Sequence, residues 1–338
     1  MVQTANSISV IICAYTEDRW NDLFAAVESV QQQILPPDEI IVVIDHNPSL
    51  LKRVQEQIPG VAVVENIEAH GASGSRNSGL AVAKGQIIAC LDDDAVAAPD
   101  WLMLLTEGFT DPRVLGVGGS ITPLWVDKRP SWFPEEFCWV VGCTFRGMPE
   151  TVAAVRNLIG ANMSIRREVF DTVGNFRSEI GRIGTWPISG EENELCIRAR
   201  QFWPQGVFLY QPQASVFQRV PSRRACWRYF CLHCYAAGLS KAVVVQYVGA
   251  KDGLAVERTY TLRTLPKGIV CNVASALLHR DLSGLARAGA IVVGLTVTIA
   301  GYLVGSIYLR VMKSRANNAV EGVLQRNSKL PGPGKARR

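Results

Sequence analysis

The first third of the chain alternates short β-branched runs with longer amphipathic stretches, and this feature constrains the fold most strongly. The runs are rich in Ile and Val and end at polar, Gly or Pro residues, as buried strands do. The predicted strands are Ile8–Cys13, Ile40–Ile44, Val61–Val64 and Ile87–Leu91, and the predicted helices are Asp18–Gln33, Leu50–Gln57 and Ser73–Lys84. Strand–helix–strand alternation predicts an α/β fold with a parallel sheet and right-handed crossovers.

Polar side chains follow three of these strands. Tyr15 comes soon after the first strand, Asp45 directly after the second, and the run Asp92–Asp94 after the fourth. In parallel sheets ligands bind beyond the carboxyl ends of the strands. The sequence therefore predicts a binding site where these side chains meet.

Three consecutive carboxylates repel one another, and a bound divalent cation would relieve that repulsion. Oxygen ligands suit Mg²⁺ or Mn²⁺, and Mg²⁺ commonly takes one or two carboxylates together with substrate phosphates. The alternative is that Asp94 or a neighbour only favours the start of the helix near Pro99–Trp101.

The segment Gly71–Gly79 combines small residues with Arg76. Backbone N–H groups at the start of a helix can approach an anion, and a guanidinium adds donors for phosphate. The segment lacks the Lys-Ser/Thr pair of nucleoside triphosphatases. The alternative is a flexible loop in which Arg76 pairs with an acid.

Residues downstream of 115 have a less regular pattern. Gly116–Gly119 and the Trp/Pro-rich Leu124–Pro134 suggest loops and irregular strands, and helices are predicted at Arg166–Val173 and Glu191–Trp203. The last helix opens with Glu191 and Glu192, where the helix dipole keeps a base ionised. The alternative is that these acids only stabilise the start of the helix.

Charge and cysteine content exclude several classes of protein. The net charge is +5, but residues 310–338 contain eight Lys/Arg and the single acid Glu321, so this tail is +7 and the rest is −2. A nucleic-acid-binding body is disfavoured, because its positive charge should lie on the folded domain. The nine cysteines favour reduced core residues in the cytosol, and a zinc site at Cys231–Cys234 lacks a matching second pair. No secretory signal is evident at the N-terminus.

The segment Ala288–Leu309 contains 22 residues without a charge. That length can cross a hydrocarbon core of about 30 Å. Arg280 and Arg287 precede it and the basic tail follows it, so it could either span the membrane or re-enter it. The alternative is a buried helix of a soluble protein, because four Gly, two Thr and one Ser lower its apolar character.

Taken in order, these motifs resemble the inverting family 2 glycosyltransferases, which have the GT-A fold. The resemblance covers about residues 7–240. It rests on Ser9–Tyr15, Glu39–Asp45, Gly74–Gly79, Leu91–Asp94 with Pro99–Leu102, Gly160–Arg167 and Gly190–Arg198. It implies a mixed, mainly parallel sheet flanked by helices, followed here by a helical membrane-associated segment.

The resemblance also implies roles for individual residues. Tyr15 and Asp45 match base-binding positions. Asp92 and Asp93 match positions that bind the donor, with Asp92 and Asp94 as ligands of Mn²⁺ or Mg²⁺. In the family, a pair of acids contains the catalytic base. Glu191 and Glu192 match this pair, and Glu192 corresponds to its second member. Arg76 would face the diphosphate and Asn162 the donor sugar.

This sequence departs from the family pattern at three places. His46 stands where a second Asp is usual, and Glu192 replaces the commoner Asp. Phe217-Gln218 lies where related enzymes often have a His that completes the metal shell. The third protein ligand of the metal is therefore open.

The predicted organisation is a catalytic domain over 1–240, a helical acceptor-side region over 241–287, a membrane helix over 288–309 and a basic disordered tail over 310–338. The predicted activity is inverting transfer of a sugar from a nucleotide-sugar donor to an acceptor. A lipid-linked acceptor is favoured over a free saccharide. We expect a protein of the cell inner membrane or plasma membrane with its catalytic domain in the cytosol, and no nucleic-acid partner. A nucleotidyltransferase and a non-catalytic carbohydrate-binding module are the alternatives.

Overall fold

The computed structural model describes residues 7–180 and 189–328, with the side chains of 255, 256, 279 and 313–328 left out. The strands are β1 (Ile8–Ala14), β2 (Glu39–Ile44), β3 (Ala62–Glu65), β4 (Ile87–Asp92), β5 (Ala95–Ala97), β6 (Val114–Trp125), β7 (Ala153–Val155), β8 (Asn162–Arg166) and β9 (Val207–Val220). The α-helices are α1 (Trp20–Gln31), α2 (Pro48–Gln57), α3 (Ala72–Val82), α4 (Trp101–Glu107), α5 (Arg167–Val173), α6 (Glu191–Phe202), α7 (Trp227–Val248), α8 (Ala250–Gly253), α9 (Ala255–Thr259), α10 (Leu265–His279) and α11 (Leu282–Ser328). Short 3₁₀ helices cover Glu17–Arg19, Gly108–Thr110, Glu135–Val141 and Ser222–Arg224, and Tyr260–Thr264 is a π-helix.

The described strands form one nine-stranded mixed sheet in the order β3-β2-β1-β4-β8-β6-β9-β5, with β7 paired to β9. Strands β1 to β4 are parallel to one another, as the alternating pattern predicts. Strand β8 is antiparallel to both β4 and β6, which makes the sheet mixed. The first four strands and their helices lie within one or two residues of the predicted bounds.

Hydrophobic residues of β1 point alternately to the two faces of the sheet, as the period of a strand requires. Val10 and Ile12 pack in the core beneath α1 and α4, which contains Leu23 and Trp101. Ile11 packs in the core on the other face, against Leu80 of α3. The sheet is therefore buried on both faces, and its first four strands carry nearly continuous apolar runs for this reason.

The sequence predicts loops and irregular strands around the glycine run in 116–119, and this run lies within the long strand β6, whose pairing with β9 is irregular on either side of it. A Cβ on Gly116 would lie 2.7 Å from the carbonyl oxygen of Ser164, and one on Gly119 would lie 1.7 Å from that of Ala214. Both distances are shorter than atoms can approach. These glycines allow β8 and the β9 region to approach β6 closely, at positions where the β6–β9 register shifts.

Helices α7 and α11 pack side by side with very close backbones. A Cβ on Gly238 would lie 2.1 Å from the Thr298 carbonyl oxygen, and one on Gly301 would lie 2.1 Å from the Tyr235 carbonyl oxygen. Small residues at a helix–helix interface permit this approach, as in packed membrane helices. Helix α7 runs across the predicted domain boundary at residue 240, so the structure has no break there.

The stretch Leu282–Met312 of α11 is long and apolar enough to cross a membrane. It contains the predicted segment Ala288–Leu309, and it exposes large apolar side chains such as Leu303 and Ile307. A disordered tail was predicted over 310–338, but α11 continues as a helix to Ser328. Its Ala, Arg, Lys, Leu and Glu residues favour a helix. Residues 329–338 lie outside the described part of the chain.

The close packing of α7 on α11 leads to opposite expectations for two glycines of α11. Gly301→Ala should lower the free energy of unfolding by about 1–3 kcal/mol, because the new methyl group has no room. Gly289→Ala should raise it by up to about 1 kcal/mol, because no described atom outside its own stretch of helix lies within 4 Å of a Cβ there and Ala favours a helix. The thermal midpoints of the two full-length variants in detergent test this, and a rise in both would contradict the packing.

Candidate active site

The predicted polar residues lie along one edge of the sheet. Parallel pairing places Cys13 of β1 beside Asp92 of β4 and Ala14 beside Ile44 of β2, so the chain after each strand emerges at the same edge. Helix α3 places Arg76 at this edge, and the start of α6 brings Glu191 against it.

The acidic run is surrounded by cations and an amide. Arg19 Nη1 donates to Asp93 Oδ1 at 2.7 Å and lies 3.3 Å from Asp94 Oδ2. Arg224 Nη2 lies 3.2 Å from Asp94 Oδ2, and Gln218 Nε2 donates to Asp94 Oδ1 at 3.0 Å. Asp93 and Asp94 are buried, whereas Asp92 is partly exposed at the cleft.

The carboxyl groups are not fully stabilised by these contacts. Burial and the neighbouring aspartates raise the pKa of Asp93 to about 7, although Arg19 opposes the shift. Burial also raises the pKa of Asp92, against the effect of Arg76. Additional positive charge would therefore stabilise the ionised forms of Asp92 and Asp93.

Arg76 is buried and links two acids of the site. Its Nη1 donates to Glu191 Oε1 at 2.6 Å, and its Nη2 lies 3.5 Å from Asp92 Oδ1. Burial by itself would lower the pKa of this guanidinium, but Glu191 and Asp92 outweigh that effect and raise it. Gly160 makes room for it, since a Cβ there would lie 2.8 Å from Nη2.

Glu192 differs from Glu191 in its surroundings. Its carboxyl group is partly accessible but is enclosed by protein atoms and lies beside the Glu191 carboxylate. Burial first, and then Glu191, raise the pKa of Glu192 to about 8. A carboxylate with a raised pKa that is still reachable from the cleft can accept a proton near neutral pH.

The charge balance and donor set of this site fit a divalent cation. Among the described residues, five carboxyl groups face three guanidinium groups, which leaves two negative charges if all are ionised. Within the same part of the chain, Asp93 Oδ2 and Gln218 Oε1 are buried without a hydrogen-bond partner. Carboxylate and amide oxygens are ligands that Mg²⁺ and Mn²⁺ prefer.

Asp45 is surrounded by its own set of polar groups, separate from those at the acidic run. Asn66 Nδ2 donates to its Oδ1 at 2.7 Å, and the Gly71 amide donates to its Oδ2 at 2.9 Å. His46 and His70 are close enough to form a possible three-ligand group with Asp45. Tyr15, at the end of β1, is 42% exposed and available to a ligand.

Asn162 is fully buried, and its amide is already used. Trp101 Nε1 donates to its Oδ1 at 2.7 Å, and its Nδ2 donates to the carbonyl oxygens of Ser120 and Ala214 at 2.8 Å each. These bonds tie together strands of the sheet and explain the residue without a ligand. Its contact with the donor sugar stays a prediction.

Sequence reasoning missed Arg19 and Arg224. Both lie in short 3₁₀ segments next to the acidic run, but they are 74 and 130 residues from Asp93 and Asp94 along the chain. No local pattern distinguishes them from surface arginines. Gln218 was noticed only as a departure from the family pattern, and the structure places it against Asp94.

The cysteines are all free thiols. Cys231 and Cys234 lie on one turn of α7. Among the residues that the structure describes, the one close group of three His, Cys, Asp or Glu side chains is Asp45, His46 and His70, which contains neither cysteine.

Comparison with known proteins decides the family. The profile of Glycosyl transferase family 2 matches residues 9–174. A glucosyl-dolichyl phosphate glucuronosyltransferase of Haloferax volcanii is 36% identical over 250 residues, which cover 72% of this chain and 80% of the relative. This chain belongs to glycosyl transferase family 2. An uncharacterised glycosyltransferase of Nostoc sp. is 34% identical over 114 residues, covering 32% of this chain and 35% of that protein.

The fold of this glycosyltransferase is also shared with a solved structure. The mannosyltransferase PcManGT from Pyrobaculum calidifontis, in complex with GDP-Man and Mn²⁺, matches with a TM-score of 0.57. It is 19% identical, and the match covers 90% of this chain and 87% of that chain. The expected GT-A fold is thereby confirmed, and membership of family 2 makes the chain a transferase.

Proposed function

We propose that this glycosyltransferase moves a sugar from a nucleotide-diphosphate sugar to a lipid-linked acceptor, with inversion at the anomeric carbon. The observation that carries the proposal is the meeting of Asp92–Asp94, Arg76 and Glu192 at one edge of the sheet. The excess of negative charge there fits a metal-bound diphosphate, and Glu192 has the properties of a base.

The donor side would use the acidic run. Asp92 and Asp94 would hold Mn²⁺ or Mg²⁺, with Gln218 Oε1 close by as a further oxygen. A divalent cation held there would offset the charge that develops on the departing diphosphate. Arg76 would add a guanidinium to the same charge, while Tyr15 and Asp45 would contact the base and Asp93 the ribose.

The acceptor side would use Glu192. Its carboxylate would take the proton from the acceptor hydroxyl as that oxygen attacks the anomeric carbon. The bond between that carbon and the diphosphate oxygen breaks, and the diphosphate leaves with the electron pair. Because attack and departure lie on opposite faces of the sugar, the configuration inverts. Glu191 is already bound to Arg76, so it is the weaker candidate for the base.

A lipid-linked acceptor is supported by two observations. The relative from Haloferax volcanii is described as acting on a glucosyl-dolichyl phosphate, and α11 contains a stretch able to cross a membrane. We infer attachment to the inner or plasma membrane with the catalytic domain on the cytosolic side. Membership of glycosyl transferase family 2 supports neither alternative, a nucleotidyltransferase or a carbohydrate-binding module.

The direct test is a transfer assay with the full-length enzyme and Mn²⁺ or Mg²⁺. Nucleotide sugars carrying glucuronic acid, glucose or mannose are offered with farnesyl phosphate, glucosyl-farnesyl phosphate or a free disaccharide. Nucleotide release and the anomeric configuration of the product are measured. Release coupled to a product of inverted configuration supports the proposal. Retention of configuration, or transfer only to the free saccharide, contradicts it.

The membrane segment can be tested without removing it, because truncation before Ala288 would strip α7 of its partner helix. Leu303 and Ile307 are exposed and lie one turn apart on α11. Each Lys introduced there costs about 2.5–3.5 kcal/mol at the centre of a spanning helix. The double change to Lys should therefore reduce the membrane-bound fraction at least tenfold in vesicle flotation. Val152→Lys, an exposed position in the catalytic domain, is the control. Unchanged flotation of the double variant would exclude the anchoring role.

A further inference from the structure

A cavity of about 360 Å³ lies between the loop region 129–146 and the helices α10 and α11. Its polar lining includes Arg129, Glu135, Glu136, Arg146, Asn272 and Arg287. None of these residues belongs to the acidic run or to the Glu191–Glu192 pair, so the cavity is separate from the site described above.

Three arginines give the cavity an anion-binding character. Arg129 Nη1 donates to Glu135 Oε1 at 3.1 Å, and Arg146 also pairs with Glu135. Arg287 Nε donates to Asn272 Oδ1 at 2.7 Å. Arg129 also donates to the Phe133 carbonyl oxygen, and Arg287 donates to Ser131, Ser283 and Asp281. Each guanidinium has five N–H donors, so several remain on Arg129 and Arg146 and one remains on Arg287. All three side chains remain partly exposed. Guanidinium forks match the oxygens of a phosphate group.

Glu136 adds an independent sign of a ligand. Its side chain is 1% exposed and lines the cavity, yet within the described residues its Oε1 has no hydrogen-bond partner. Arg146 Nη1 lies 3.6 Å away, which is too far for a hydrogen bond. A buried carboxylate without a donor is unfavourable. A hydroxyl group of a ligand would supply the missing donor.

The cavity is lined in part by the apolar stretch of α11. Arg287 belongs to the first turns of the stretch of α11 that is able to cross a membrane. Leu277, Leu278, Leu282 and Leu285 lie around the same end of α10 and α11 and are all at least half exposed. A ligand with a phosphate in the cavity can therefore keep an apolar chain on these leucines.

The cavity is also connected to the donor site. The 3₁₀ helix Glu135–Val141 begins at the cavity and is followed by Gly142, where a Cβ would lie 3.5 Å from Gln218 Oε1. Gln218 binds Asp94. Seven residues at a rise of about 2 Å each place the two ends roughly 14 Å apart at most. The cavity and the donor site are therefore joined by one short segment of the chain.

We propose that this cavity binds the phosphate of a polyisoprenyl-linked acceptor and a hydroxyl of its adjoining sugar. The phosphate contacts Arg129, Arg146 and Arg287, and the hydroxyl donates to Glu136. The attacking hydroxyl is then one of the sugar that adjoins this phosphate. This inference rests on the proposed function, whose acceptor it specifies.

The test measures binding separately from transfer. Affinities of the full-length enzyme in detergent are determined for farnesyl phosphate, glucosyl-farnesyl phosphate and farnesol. Farnesyl phosphate should bind at least tenfold more tightly than farnesol, and Arg287→Gln and Arg146→Gln should each weaken it by at least tenfold. Glu136→Ala should selectively weaken the glucosylated lipid. Arg113→Gln, which removes an exposed arginine paired with Asp111, is the matched control.

Each outcome has a separate meaning. Nucleoside diphosphate affinity with Mn²⁺ should remain that of wild type, which shows that the variants are folded, although Arg287→Gln should lower the thermal midpoint because it removes bonds to Asp281 and Ser283. Unchanged farnesyl phosphate affinity in both arginine variants would overturn the cavity assignment even if transfer is observed. Equal competition by inorganic phosphate or by phosphatidylglycerol would reduce the cavity to a general anion site and also overturn it. If arginine-dependent binding occurs but no sugar is transferred, the proposed function fails and the cavity assignment stands.

Discussion

Glu192→Gln should retain the affinity of the enzyme for its donor and lose turnover by about 10²–10⁴-fold, the range of a positioned general base. Glutamine preserves the size of the side chain but cannot take the proton of the acceptor hydroxyl. The measurement is steady-state turnover together with calorimetric affinity for the nucleoside diphosphate in Mn²⁺.

Glu191→Gln provides the matched comparison one residue earlier. It removes the carboxylate that lies 2.6 Å from Arg76 Nη1 and leaves the buried guanidinium poorly compensated. We expect weaker donor affinity and a lower thermal midpoint, with some turnover remaining. If Glu191→Gln is the inactive variant and Glu192→Gln is active, the assignment within the pair is wrong. If both variants turn over normally, the two acids only stabilise the start of α6.

The pH dependence of kcat/KM tests the same residue. A base works only when deprotonated, and the pKa of Glu192 is raised to about 8 by burial and by Glu191. Activity of the free enzyme should therefore rise with pH and level off above about 8. The residual activity of Glu192→Gln should lack this rise. A wild-type profile that is already flat from pH 6 would contradict a base with a raised pKa.

Asp94→Asn should nearly abolish metal-dependent donor binding and reduce turnover by about 10²–10³-fold, the scale for losing one preorganised electrostatic contact. The amide has no charge to hold a divalent cation, and the site loses one of its five carboxyl groups. Arg19 and Arg224, which lie 3.3 Å and 3.2 Å from Asp94 Oδ2, would then make the pocket still less attractive to a cation.

Calorimetry with a nucleoside diphosphate checks this expectation. Wild type should bind with Mn²⁺ and show little binding in chelator, whereas Asp94→Asn should show little binding in either condition. Asp100→Asn, six residues further along, is the control and should behave as wild type. Equal wild-type affinity with Mn²⁺ and in chelator would remove the metal from the proposed function.

The sequence alone was sufficient to predict the first four strands and the helices between them. Strands β1 to β4 are read correctly because they are buried on both faces and so must be continuously apolar, a signal that each strand carries by itself. The meeting of Asp45 and the Asp92 run at one edge follows from the parallel pairing. The family followed from motifs in their order along the chain.

The tertiary structure decided what no local pattern contains. Glu191 and Glu192 are neighbours in sequence, and only contacts with remote segments distinguish them. Glu191 binds Arg76, whereas Glu192 has no cationic partner so close among the described residues. The same holds for Arg19 and Arg224 at the acidic run, since their role depends on contacts across the fold. The glycines of β6 indicated loops or irregular strands, but only the packed structure shows why they are there, which is the close approach of neighbouring backbones. Asn162 looked like a ligand contact in sequence, but its three hydrogen bonds to strands and to Trp101 became visible only once those segments were packed.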